Sequence, residues 1–124
     1  MACRGIRGAS SVDANDADTI IAATRGLLER IVSANDLSVH DVASVIFTAT
    51  PDLDAAYPAR AAREMGWVNT PLLCMQEMVV AGSLPRCIRV LVLWNTDRSP
   101  DQIRHVYLGR ARALRPDLVE EGEI

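Results

Sequence analysis

The segment Cys-Ile-Arg-Val-Leu-Val-Leu-Trp, residues 87–94, constrains the fold most, because it is apolar and partly β-branched yet carries Arg89 near its centre. Such a run predicts a buried strand. Side chains alternate along a strand, so Arg89 is expected on the same face as Cys87, Leu91 and Leu93. An unpaired ion in an apolar setting costs several kcal/mol, so Arg89 requires a partner, either within the protein or in a ligand.

A second arginine, Arg7, lies in the Gly-rich segment 2–9, which we predict to be the first strand. Its neighbours on the same face are Gly5 and Ala9, which leave open space that a ligand could enter. Glu77 is the obvious internal partner for Arg89. One glutamate does not neutralise both arginines, so the surplus positive charge predicts an anionic ligand, preferably a carboxylate that an arginine can bind through two hydrogen bonds.

The remaining pattern predicts an α/β (α+β) single domain, a mixed β-sheet with helices on one face. Predicted strands are 2–9, 44–50, a stretch from about 70, and 87–95; predicted helices are 16–35, 38–41, 58–65 and one that begins at the capping box 99–102. Pro116 predicts an extended tail after that last helix. We expect the domain to span residues 1–118 and the acidic residues 119–124 to be disordered. The exposed edges and faces of so apolar a sheet predict a homo-oligomer.

Composition excludes several kinds of chemistry. All 13 basic residues are arginine, so a Schiff-base lysine, a Walker A lysine and a kinase lysine are absent. The net charge of −3 gives no support for nucleic-acid or membrane partners. No His or Cys pair has metal-ligand spacing, no nucleophile elbow occurs, and His40 and His105 read as solvated surface residues. We therefore expect a site without metal or cofactor, built for positioning and charge stabilisation.

Cysteine usage and hydropathy predict the compartment. The chain has three cysteines, an odd number without a CxxC pair, which is typical of free thiols in a reducing environment. We expect neither a signal peptide nor a membrane span, because no apolar stretch follows Arg4 and Arg7 and no apolar run reaches the length of a span. We expect a cytoplasmic protein.

Six motifs appear in order and together resemble one family, the monofunctional chorismate mutases of the trimeric pseudo-α/β-barrel class. They are RGIRGA at 4–9, TATPDL at 48–53, CMQEM at 74–78, CIRV at 87–90, DQIRHVYL at 101–108 and LRPDL at 114–118. The resemblance implies an isomerase that rearranges chorismate to prephenate in phenylalanine and tyrosine biosynthesis. It also implies no cofactor and a homotrimer with three active sites, each lined by two adjacent subunits.

The resemblance further implies roles for individual residues. The chemistry is a concerted shift in which the ether C–O bond breaks ahead of C–C bond formation, so negative charge grows on the ether oxygen. Arg89 is expected to hydrogen-bond that oxygen and a carboxylate, and Glu77 to hold the ring hydroxyl and face the cationic ring, with Cys74 nearby. The other implied substrate-binding residues are Arg7 and Tyr107 at the side-chain carboxylate, Arg63 and Arg115 around the dianion, Tyr57 on the pocket wall, Arg60 and Leu114.

Two positions depart from the family pattern: Tyr57 stands where a Phe is expected, and Arg60 where a Lys is common. Two other functions fit the same residues. One is an enamine/imine deaminase of the Rid type, which also binds a carboxylate through an arginine between subunits. The other is a trimeric sensor that binds an anionic metabolite without turning it over.

Overall fold

The computed structural model describes residues 1–118, and these form a five-stranded mixed sheet with two α-helices. The strands are β1 (Ala2–Ser11), β2 (Val42–Ala49), β3 (Leu72–Gln76), β4 (Cys87–Thr96) and β5 (Val106–Leu108). The helices are α1 (Ala17–Asn35) and α2 (Ala59–Glu64). Short 3₁₀ turns occupy Val39–Asp41, Pro100–Gln102, Gly109–Ala113 and Pro116–Leu118. The predicted disorder of residues 119–124 lies outside the described residues.

The sheet order is β3-β2-β4-β1-β5, so β4 is the central strand that its apolar sequence predicts. β4 runs antiparallel to β1 and to β2, whereas β3 is parallel to β2 and β5 is parallel to β1. The alternation along β4 is also confirmed: Val90, Val92 and Trp94 are buried, while Arg89 and Leu91 are half-buried on the opposite face. The mixed α/β fold class is thereby confirmed.

Both helices pack on one face of the sheet and form the main core with it. Asp16 caps the N-terminus of α1, and its carboxylate accepts a hydrogen bond from Thr19 N at 2.8 Å. α1 approaches β1 closely at Gly8, where an added Cβ would lie 2.9 Å from Ile31 Cδ1. Any larger residue would force the Ile31 side chain to shift from its place against β1. No α-helix of the described residues covers the opposite face of the sheet, which is partly apolar and accessible.

The region after the capping box is the part of the fold where the prediction was wrong. Ser99 N does donate to Gln102 Oε1 at 3.0 Å, but the turn ends at Gln102 instead of opening a long helix. Val106–Leu108 forms β5 because Gly8–Ser10 of β1 offers it a strand edge to pair with. Tertiary pairing therefore overrides local helix signals here. The tail expected to be extended after Pro116 is likewise a 3₁₀ turn.

Within residues 1–118, neither helix is long and apolar enough to cross a bilayer. All three cysteines are free thiols. Cys3 is exposed, Cys74 is half-buried and Cys87 is buried.

Candidate active site

The accessible face of the sheet contains a cavity of about 390 Å³, which we call the arginine cavity. It is lined by Arg7, Gly8, Ile46, Thr48, Met75, Arg89, Val90, Leu91 and Tyr107. Three of the predicted site residues, Arg7, Arg89 and Tyr107, thus line one space. The strand register explains this, because Ala9 pairs with Arg89 on one side and with Tyr107 on the other.

Small side chains let the arginines share the cavity. Ala9 separates Arg89 from Tyr107 across the sheet, and Arg7 lies two residues before Ala9 on the same face of β1. Arg7 pairs with Leu91, so Arg7 and Arg89 are diagonal neighbours on adjacent strands. The open space expected above Arg7 is therefore part of a cavity that holds two guanidinium groups.

Glu77 is the internal partner of Arg89. Its Oε1 accepts a hydrogen bond from Arg89 Nε at 2.5 Å. The Glu77 backbone N–H donates to Ala49 O at 2.9 Å, which extends the pairing of β3 with β2 by one residue. This bond fixes the backbone position from which the Glu77 side chain extends. Among residues 1–118, no hydrogen bond or ion pair involves the two terminal nitrogens of Arg89. These nitrogens are available to a ligand.

The end of β2 is tied to the start of β4 by Asp52 and Thr50. The Asp52 carboxylate accepts from Arg86 N at 3.0 Å and from the Thr50 hydroxyl, and Cys87 N donates to Thr50 Oγ1 at 3.0 Å. The Thr50 hydrogen bond lowers the pKa of Asp52, so the carboxylate stays charged. This connection holds β4 in place two residues before Arg89.

Tyr107 is buried in a small cluster with Ala9, Cys87 and Ala111, and Leu114 packs against that cluster. Burial raises the pKa of the Cys87 thiol to about 11, which makes it unsuitable as a nucleophile at neutral pH. Because Leu114 packs against this cluster, it supports the part of the cavity wall that Tyr107 forms.

Arg115 is held by a neighbouring carboxylate. Its Nε and Nη2 donate to the two oxygens of Asp117 at 3.1 and 2.9 Å. This pairing raises the pKa of Arg115 and lowers that of Asp117. Any contact of Arg115 with a ligand would have to compete with Asp117.

Two of the remaining predicted residues, Tyr57 and Cys74, line a second cavity of about 440 Å³, the tyrosine cleft. It is lined by Ala49, Thr50, Pro51, Leu53, Asp54, Ala55, Ala56, Tyr57, Pro58, Cys74, Met75 and Gln76. Tyr57 is 72% exposed there. Arg60 and Arg63 are exposed on α2, which follows the cleft loop, and Arg60 pairs with Glu64 at 3.4 Å. None of these four residues lines the arginine cavity of its own chain, although Met75 lines both cavities.

Three residues near the arginines were missed or misread in the sequence. Thr48 and Met75 line the arginine cavity, and alternation along β2 and β3 would have placed both on the face of Arg89. His105 is half-buried instead of solvated, and its Nδ1 accepts a hydrogen bond from Arg7 N at 2.9 Å.

The chain matches the family model for chorismate mutase type I over residues 3–118. It is 53% identical to the chorismate mutase AroH of Thermus thermophilus over 116 residues, which are 93% of this chain and 95% of that protein. It is 49% identical to the chorismate mutase AroH of Bacillus subtilis strain 168 over 119 residues, 95% of this chain and 94% of that protein.

The fold agrees with these sequence matches. A solved structure of a chorismate mutase from Clostridium thermocellum superposes with a TM-score of 0.87 at 51% identity, covering 89% of this chain and 98% of that one. The chain belongs to the type I chorismate mutase family.

Proposed function

We propose that this member of the family is an isomerase that rearranges chorismate to prephenate, in phenylalanine and tyrosine biosynthesis, by positioning and electrostatic stabilisation. The observation that carries the proposal is the cavity that contains Arg7 and Arg89, with Glu77 bound to one nitrogen of Arg89. Two guanidinium groups and one carboxylate suit a dicarboxylate substrate. Membership of the family indicates which reaction this substrate undergoes.

Arg89 is the proposed catalytic donor. Because Glu77 occupies Nε, the terminal nitrogens of Arg89 can bind the ether oxygen and a carboxylate of the substrate. A donor at the oxygen where negative charge develops contributes roughly 3–4 kcal/mol to a transition state. Glu77 would hold the ring hydroxyl and stabilise the positive character of the ring. No nucleophile or cofactor enters this account.

Orientation supplies the other part of the rate. Arg7 and Tyr107 would hold the side-chain carboxylate, which favours the chair in which the reacting carbons approach each other. Preorganisation of this kind is worth up to about 7–11 kcal/mol. Together the two effects reach the lower part of the range of enzymatic accelerations, which begins near 8 kcal/mol.

The complete site is proposed to form between adjacent subunits of a homotrimer. The accessible sheet face and the following loop expose Leu73, Met75, Met78, Val79 and Val80, an apolar surface that a second copy of the chain would bury. The tyrosine cleft of one chain would then close the arginine cavity of its neighbour. Tyr57, Cys74, Arg60 and Arg63 would meet Arg7 and Arg89 in this way. Arg115 and Leu114 would lie at the edge of the site.

We also propose that residues 1–118 form the catalytic domain and that the protein works in the cytoplasm, where its three free thiols would remain reduced.

The first test is direct: purified protein is mixed with chorismate, without metal or cofactor, and the ultraviolet absorbance of chorismate is followed with prephenate identified as product. We expect turnover that Arg89→Ala abolishes while the fold persists by circular dichroism. Saturable binding of chorismate without turnover would instead support the sensor. Turnover of imines but not of chorismate would support the deaminase, which family membership already disfavours.

Complementation between inactive variants tests the shared site. Arg7→Ala and Arg63→Ala proteins are unfolded together, refolded as a mixture and assayed. If the two arginines of one site come from different chains, random trimers should regain about a quarter of wild-type activity. Each variant refolded alone is the control. No recovery in demonstrably mixed trimers would place both residues on one chain.

A further inference from the structure

His105 makes an unusual contact at the strand that carries Arg7. Backbone pairing between β1 and β5 begins at Gly8 and Val106, and one residue earlier the Arg7 N–H donates to the imidazole Nδ1 of His105 at 2.9 Å. A side chain thus provides the acceptor that a backbone carbonyl usually provides within a sheet. The contact joins the two strands immediately beside the arginine cavity.

This hydrogen bond lies where it can affect the geometry of the arginine cavity. β5 is only three residues long, so three residue pairs hold it to β1. Arg7, one residue before this pairing, and Tyr107, in its middle, both line the arginine cavity. The bond to His105 extends the pairing by one step, to the backbone of Arg7 itself.

The hydrogen bond requires a particular form of the imidazole. Nδ1 accepts only when it carries no proton, so His105 must be the neutral tautomer with its proton on Nε2. Burial lowers the pKa of His105, and the nearby charges of Arg7 on β1 and Arg115 beyond β5 lower it further. Asp117 faces the same region but is bound to Arg115. The surroundings therefore favour the neutral form.

We propose that His105 is a positioning residue for substrate binding: its neutral imidazole holds the backbone of Arg7 and so orients the Arg7 guanidinium toward the substrate carboxylate. The inference rests on the carboxylate-binding role proposed for Arg7. It assigns His105 no contact with the substrate and no proton transfer.

Matched amide substitutions test the role. His105→Asn places an amide oxygen near the position of Nδ1 and should retain the hydrogen bond, whereas His105→Gln places its amide near the position of Nε2 and should not. We expect kcat/KM for chorismate to fall about tenfold in His105→Gln and His105→Ala, the size of one lost hydrogen bond, because Arg7 both binds and orients the substrate. His105→Asn should be close to wild type, and His40→Ala, at the exposed histidine, is the control.

A second readout is independent of activity. Nitrogen-15 NMR of the substrate-free wild type should show the His105 tautomer protonated on Nε2. Protonation on Nδ1 would overturn the proposal, as would equal kcat/KM values in the Asn and Gln variants. If His105→Ala does not fold, the Asn and Gln pair still decides. If the wild type does not turn chorismate over, the proposed function fails and this role with it, while the NMR result separately reports whether the Arg7 hydrogen bond forms.

Discussion

Glu77 Oε1 lies 2.5 Å from Arg89 Nε, and the Glu77 side chain is only 13% exposed whereas that of Arg89 is 40% exposed. The carboxylate therefore partly neutralises the arginine from the protein side and leaves its outer nitrogens facing the cavity. An arginine can serve two partners at once because its donors form a planar fork. This relationship accounts for a charge on the central strand of the sheet without a ligand present.

Arg89→Lys should lower kcat by about 10²–10³-fold, because the three donors of a lysine ammonium lie on one nitrogen and cannot reproduce the planar fork that reaches Glu77 and the substrate at once. Arg25→Lys, on the exposed side of α1 where it pairs with Glu29, is the matched control. Steady-state kinetics and circular dichroism would be measured on both. A folded Arg89→Lys enzyme with near-normal kcat would refute the role of the guanidinium.

Cys74→Ala should change KM only modestly and leave kcat nearly intact, because the proposed reaction has no covalent step. Cys87→Ser is a useful contrast: it introduces a hydroxyl at a fully buried position and should cost about 1–3 kcal/mol of folding free energy. Kinetics and urea denaturation separate the two effects. Complete inactivation of a folded Cys74→Ala protein would indicate nucleophilic chemistry.

Gly8→Ala and Gly26→Ala should have opposite effects on stability. At Gly8 the new Cβ would lie 2.9, 3.0 and 3.1 Å from Ile31, Val90 and Leu27, so the variant should lose about 1–3 kcal/mol. At Gly26, in α1, no described atom outside the neighbouring helix backbone lies within 4 Å of the new Cβ, so alanine should add about 0.5–1 kcal/mol through helix propensity. Urea unfolding of both variants tests this pair, and a stabilised Gly8→Ala protein would contradict the close packing of α1 on β1.

The lowered pKa of His105 predicts a pH dependence of stability. The native state binds a proton on the His105 imidazole less tightly than the unfolded chain does. Protonation of His105 therefore favours unfolding. The contribution of His105 is complete above the unfolded value near 6.5 and declines as the pH falls toward the lowered native pKa. The free energy of unfolding of the wild type should therefore fall relative to that of His105→Asn on acidification. Parallel pH profiles of the two proteins would contradict the predicted shift.

Local sequence patterns were sufficient for much of this molecule. The alternation of residues 87–94 predicted both the central strand and the face of Arg89, and the helical spacing of residues 16–35 predicted α1. These elements follow from the periodic spacing of the apolar side chains that face the core. That spacing can be read from the sequence of each segment alone. The resemblance of six ordered motifs then supplied the family, which the later comparisons confirmed.

Tertiary structure alone decided the edge of the sheet and the use of His105. The capping box at Ser99 is present, yet the following residues form β5 because β1 offers unpaired backbone groups that a nascent helix would leave unsatisfied. A three-residue strand has too short a pattern to be recognised in sequence. The contact of His105 with Arg7 joins positions 98 residues apart in the chain, so no local spacing predicts it. The sequence by itself determined which segments could be strands or helices and which charges needed partners; chain folding determined which of those partners met.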